Sequence, residues 1–160
     1  MKTLRKINRV LAIVGAAMTV AMTVIVVYDV FCRYVFNDPT VWVFDFSTFL
    51  LVYIVFLGLA LALQEGSHVA VDLFLEIVHG RVRQVLRVIG LLITVFYGGV
   101  LTWVVTRYAL QAFEMNWKSA SLIAVPLKYV YMVGPVGAFL FTLTAIGLTI
   151  ETIMGEKGRG

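Results

Sequence analysis

The sequence predicts an all-α integral membrane protein of four transmembrane helices, and three observations predict it. Four stretches carry no charged residue: Val10 to Tyr28, Phe46 to Leu63, Val88 to Thr106 and Tyr129 to Ile150. Each reaches the roughly 18 to 20 residues that a helix needs to cross the hydrocarbon core of a bilayer. Of the 160 residues 61% are hydrophobic, and the mean hydropathy is +0.97, outside the usual range of globular domains. Little sequence remains outside the four stretches. An open sheet is excluded because lipid cannot satisfy its backbone groups, so a single membrane domain over residues 1–160 is expected.

The charges give this bundle an orientation. Thirteen Lys and Arg against nine Asp and Glu leave a net +4, but position along the chain explains the excess better than a nucleic-acid partner does. Lys2, Arg5, Lys6, Arg9, Arg81, Arg83, Arg87, Lys157 and Arg159 fall on the side holding both termini, against Arg33, Arg107, Lys118 and Lys128 on the other. Both termini are therefore expected in the cytoplasm. Trp42, Trp103 and Trp117, with Tyr28, Tyr34, Tyr108, Tyr129 and Tyr131, gather at the opposite ends of the spans, at the level where amphipathic rings favour lipid headgroups.

Span one is expected over residues 10–36. Its uncharged run exceeds the apolar core of a secretory signal, and Asp29 and Arg33 follow without a small-residue cleavage site, so it reads as a retained helix. Ala12, Ala16, Ala17 and Ala21 mark a small-residue face that lets another helix approach closely. Asp29 and Arg33 form an i,i+4 pair, and Asn37-Asp38-Pro39 ends the helix. Span two, over 42–63, begins near Trp42, with Asp45 in its first turns where the helix dipole favours a carboxylate.

Between spans two and three the period changes. Val71, Phe74, Leu75, Val78, Val82 and Val85 form one stripe and Asp72, Glu76, His79 and Arg83 another, which predicts an amphipathic surface helix over about 68–80. Span three, over 86–110, holds Gly90, Gly98 and Gly99. Span four, over 126–150, starts at Pro126, and Pro135 predicts a local kink within it.

Side chains for catalysis or a cofactor are missing where they would be needed, so neither an enzyme nor a bound cofactor is expected. One cysteine, Cys32, excludes an internal disulfide and paired-cysteine redox chemistry. His68 and His79 lie in the second connection, not within a span where they could ligate haem. None of the four uncharged runs places an ionisable residue deep in the bilayer, as a proton-coupled transporter would require. Asp45 comes nearest.

Arg33-Tyr34-Val35-Phe36-Asn37, followed by Pro39, Trp42 and Asp45, resembles the span one to span two corner of a known family. Leu57-Gly58-Leu59-Ala60-Leu61-Ala62-Leu63 with Gly66-Ser67-His68-Val69-Ala70-Val71-Asp72 is similar to its G-x-H-[IV]-x-[IV]-D signature, and Val125-Pro126 with Pro135 to its fourth span. The family is the small membrane subunit of tripartite ATP-independent periplasmic (TRAP) transporters, the DctQ-like proteins. Phe44 and Lys128 depart from its pattern, Phe44 standing where a second carboxylate is common and Lys128 where an apolar residue is.

The resemblance implies an accessory subunit in the bacterial inner membrane. Its partners would be a large multi-span permease that carries the substrate and ion sites, a periplasmic binding protein and membrane lipid, with no nucleic acid. The complex would take up an organic acid on an ion gradient. Arg33, Tyr34, Asn37, Trp42, Asp45, His68, Asp72 and Pro126 are the candidate contacts. Arg33 meets an acidic partner or satisfies Asp29; Asp45 stabilises the loop-one turn or meets a partner cation; Trp42 anchors at the headgroups; His68 and Asp72 pair locally or meet lipid and partner. The alternative from another class is a self-associating small channel or transporter built on the Ala- and Gly-containing faces.

Overall fold

A computed structural model describes residues 2–65, 81–119 and 125–157. Its helices are α1 (Lys2–Val35), α2 (Val43–Gln64), α3 (Arg81–Glu114), α4 (Lys128–Tyr131) and α5 (Val133–Lys157). Four segments are long and apolar enough to cross a membrane, the fourth formed by α4 and α5 together. The amphipathic helix expected over 68–80, with His68 and Asp72, lies outside the described residues.

Both long helices outrun their uncharged cores: α1 and α3 each have 34 residues, about 51 Å of helix against a hydrocarbon core of about 30 Å. Threonines are accommodated in them by donating to the carbonyl one turn back. Thr19 bonds Gly15, Thr23 bonds Thr19, Thr94 bonds Gly90, Thr102 bonds Gly98 and Thr106 bonds Thr102. Each hydroxyl is thereby satisfied where no water is available.

The helix ends follow local chemistry. After α1, Asn37 takes a left-handed conformation (φ 51°) and the Asp38 amide turns back to the Cys32 carbonyl. After α3, Asn116 (φ 50°) does the same, and the Trp117 amide reaches Ala112 O while the Asn116 amide reaches Phe113 O. That is the Schellman arrangement with asparagine in the place glycine usually fills. The kink expected around Pro135 is a break at Met132, between α4 and α5. Pro135 thus sits in the first turn of α5, where its missing N–H has no intrahelical partner to lose.

The helices pack as an open row. α1 lies against α2, α2 against α5, and α5 against α3. The core sits at the α2–α5 seam, where Ala60 and Leu63 meet Phe141 and Ala145, with Leu59, Val95, Leu140 and Leu148 around them. Close approach there depends on glycine: a Cβ on Gly137 would stand 2.3 Å from the Phe56 carbonyl oxygen, while on the α3 side one on Gly134 would stand 2.4 Å from Val105 Cγ1. α3 docks on the other side of α5 through Gly98, which faces Phe141 and Thr142, with Thr102 and Thr142 hydroxyls 3.1 Å apart.

The alanine face expected on span one is not its packed face. Ala16, Ala17 and Ala21 are exposed and only Ala12 is half-buried. Gly15, one position away from Ala16, is the buried small residue, with Ile54 O and Leu57 Cβ 3.8 and 4.0 Å from where its Cβ would be.

Candidate functional site

The candidate site lies at the end of the row opposite the termini, where loop one meets the segment between α3 and α4. Its centre is Asp29, 8% exposed on the last turns of α1. One carboxylate oxygen accepts from Arg33 Nη2 at 2.9 Å, the other from the Thr40 amide at 3.0 Å and from the Thr40 hydroxyl. An acid that looked from the sequence like the partner of Arg33 alone therefore also holds the far side of loop one. Residues 36–39 are drawn into a tight turn as a result, with Asn37 at its left-handed position.

Trp42 closes the same corner. Its ring lies 6.4 Å from Tyr28 and 5.7 Å edge-on to Phe46, so it ties the end of α1 to the start of α2 besides offering a ring at headgroup depth. Arg33 remains half-exposed despite its ion pair, and Tyr34 is 79% exposed on the neighbouring face. Tyr34 therefore stands apart from the Asp29, Asn37 and Trp42 cluster.

Asp45 does something different from an N-terminal cap. α2 has no side-chain cap bond at Trp42, and the Asp45 side chain is 6% exposed. Its Oδ1 lies 3.5 Å from Ser119 Oγ, while Oδ2 has no hydrogen-bond partner. The acid points across to the α3–α4 segment. There Lys118 and Pro126 form an antiparallel bridge, the Ser119 amide donates to Val125 O and the Leu127 amide to Trp117 O. Pro126 thus belongs to the same corner as Asp45, joined through Ser119. Lys128, on α4, lies over the Phe113 and Tyr129 rings at 5.7 and 5.3 Å, which explains how a cation is accommodated beside apolar neighbours.

A second polar cluster, at the end carrying the termini, escaped the sequence reading. Asn8 is fully buried; its Nδ2 donates to Gln64 Oε1 at 3.1 Å and to Thr144 Oγ1 at 2.9 Å. One turn away Arg5 pairs with Glu151 at 2.8 Å. α1, α2 and α5 are thus tied together beside the bilayer boundary. The available signal was an asparagine two residues before a long apolar run, on the same helical face as Arg5.

Among the described residues no three His, Cys, Asp or Glu side chains gather as metal ligands. The arrangement fastens helices and loops to one another; it presents no nucleophile paired with a base.

Comparison with known proteins gives these features a family. The family described as "Tripartite ATP-independent periplasmic transporters, DctQ component" matches residues 22–155. A sialic acid TRAP transporter small permease protein, SiaQ of Vibrio cholerae serotype O1, is 29% identical over 75 residues, 46% of this chain and 43% of that protein. The C4-dicarboxylate TRAP transporter small permease protein DctQ of the same organism is 30% identical over 64 residues, 40% of this chain and 28% of its own. The sialic acid TRAP transporter permease protein SiaT of Haemophilus influenzae is 25% identical over 81 residues, 51% of this chain but 13% of that much longer polypeptide. The matched stretch spans less than half the length of each of these relatives. With most of its length inside the family's match and four helices able to cross a bilayer, the chain belongs to the DctQ component of TRAP transporters, a family of transporter subunits rather than enzymes, and is a multi-pass protein of the bacterial inner membrane.

Proposed function

We propose that the chain is a single membrane domain that braces a large multi-span permease subunit, while a periplasmic binding protein delivers an organic acid whose uptake is driven by an ion gradient. The observation that carries this reading is the open row of helices. α1 packs along α2 and reaches α5 through the side chains of Asn8 and Arg5, α3 packs along α5, and within their membrane windows only 6% of residues are buried, against 39% in the fourth span. A row with two wide apolar faces suits a broad partner in the bilayer better than a self-contained pore. A large subunit that moves a domain needs a fixed scaffold, and long helices fastened at both ends provide one.

The similarity to SiaT supports the same assignment, because that permease is a far longer polypeptide than the stretch it shares with this chain. The names of SiaQ and DctQ specify sialic acid and C4-dicarboxylates, both carboxylic acids, which supports an organic acid as the substrate class. Arg33, Tyr34, Trp42 and Asp45, at the end away from the termini, would face the binding protein or the outer side of the permease. The distribution of arginine and lysine supports a cytoplasmic location for both termini.

Gentle detergent extraction of the tagged chain from its native membrane, followed by mass spectrometry of what accompanies it, tests the assignment. A large multi-span permease is expected to co-purify. Recovery of a stable homo-oligomer alone would replace the bracing role with the self-associating channel. A C-terminal reporter active only in the periplasm is expected to stay silent, and activity from it would reverse the orientation.

A further inference from the structure

The turn that follows α1 closes a groove whose lining combines aromatic side chains with the Asp38 carboxylate. Tyr28, Phe31, Phe36, Asp38 and Pro39 are among the residues that line it, around a volume of about 470 Å³. All three rings are more than half exposed, and Phe31 and Phe36 hold one another edge-to-face at 5.8 Å. The Tyr28 ring also lies 6.4 Å from Trp42. The described ion pairs are Arg5 with Glu151 and Arg33 with Asp29; the Asp38 carboxylate has no such partner among the described residues.

Aromatic faces around a carboxylate are the chemistry that recognises an alkylammonium group, since the ring quadrupoles and the acid attract the same cation. Depth decides which cation. The uncharged run of α1 ends at Tyr28, and from Val10 to Tyr28 the helix spans about 28 Å, close to the thickness of the hydrocarbon core. Residues 31–38 therefore stand at headgroup level, where the ammonium at hand belongs to phospholipid. Pro39 and the ring edges supply an apolar floor for the carbons next to it.

We infer that this groove binds the ammonium headgroup of a zwitterionic phospholipid, with Asp38 as counter-charge and Tyr28, Phe31 and Phe36 as its aromatic walls. The inference goes beyond the bracing role and does not depend on it, because it needs only that α1 crosses the bilayer. A basic segment of a partner protein would offer similar chemistry, but it has no claim on this depth.

The test uses the full-length purified chain in detergent with equal amounts of phosphatidylethanolamine and phosphatidylglycerol, read by native mass spectrometry as lipid retained. The unaltered chain is expected to retain phosphatidylethanolamine over phosphatidylglycerol by roughly tenfold, the ratio one charge-assisted contact supplies. Asp38→Asn is expected to bring the two close to parity. Phe31→Leu combined with Phe36→Leu, which keeps the groove apolar but removes two ring faces, is expected to reduce the preference several-fold. Glu114→Gln, which removes an exposed charge at the same end of the molecule, should leave it unchanged. Parity in the unaltered chain, or a preference that survives Asp38→Asn, would overturn the assignment. Should Asp38→Asn fail to fold, the double phenylalanine variant decides alone: a preference undiminished in it sinks the inference.

Discussion

The α2–α5 seam and the α1–α2 contact are both helix pairs in the same bilayer, yet they are built on opposite principles. At the seam, backbones approach so closely that Gly137 has no room for a methyl group against Phe56, and small residues such as Ala60, Ala138 and Ala145 are buried. α1 packs on α2 with room to spare: at Gly15 a Cβ would meet only ordinary contacts. Polar bonds hold it instead, Asn8 to Gln64 and Thr144 at one end and Asp29 to Thr40 at the other. In lipid, where apolar burial separates helices from tails only weakly, van der Waals fit and hydrogen bonding are the two available adhesives. This chain applies one to its centre and the other to its flank.

The largest effect is expected where the fit is tightest. Gly137→Ala forces a Cβ against backbone that cannot rotate away and should destabilise the fold by about 3 kcal/mol, read as a lowered unfolding midpoint in detergent. Thr40→Val keeps the shape but removes a hydroxyl bonded to a carboxylate, and should cost about 1.5 kcal/mol. Its signature is local, faster hydrogen exchange at the amides of residues 36–41 with the seam unaffected. Asn8→Leu removes two interhelical bonds, and about 1 kcal/mol is expected; the net stays small because Asn8 Oδ1 is buried without a partner and its replacement relieves that cost. A double-mutant cycle with Thr144→Val measures it. Gly99→Ala, where a Cβ meets nothing within 4 Å, should raise stability by roughly 0.5 kcal/mol through helix propensity. If Gly99→Ala and Gly137→Ala behave alike, the contrast between open and seam glycines is wrong.

The four spanning segments were legible because lipid imposes one requirement, a long uncharged run, that any such sequence must display. The Asp29–Arg33 pair and the turn at Asn37 were legible too, since both depend on spacing along the chain. The order of packing was not. Uniformly apolar helices carry no stripe that says which face meets which neighbour, so the sequence did not tell that within the chain Gly15 is buried while Ala16, Ala17 and Ala21 stay exposed. The same limit hid Gly137, whose importance comes from Phe56, 81 positions away. Asp45 was legible in part: its place in the first turn of α2 follows from position along the chain, but its contact with Ser119, far along the chain, does not.

Asn8 and Asp29 lie 21 residues apart on one unbroken helix, about 31 Å along its axis and close to the thickness of a hydrocarbon core. α1 is therefore a strut bolted just inside each face of the membrane, its length fixed by covalent geometry while the lipid around it can stretch or thin. In a bilayer of another thickness the lipid has to adjust to the strut, or the strut has to lean. Leaning would load the bonds at Asn8 and Thr40 before it disturbed the seam, so a change in membrane thickness would be felt first at the two ends of α1.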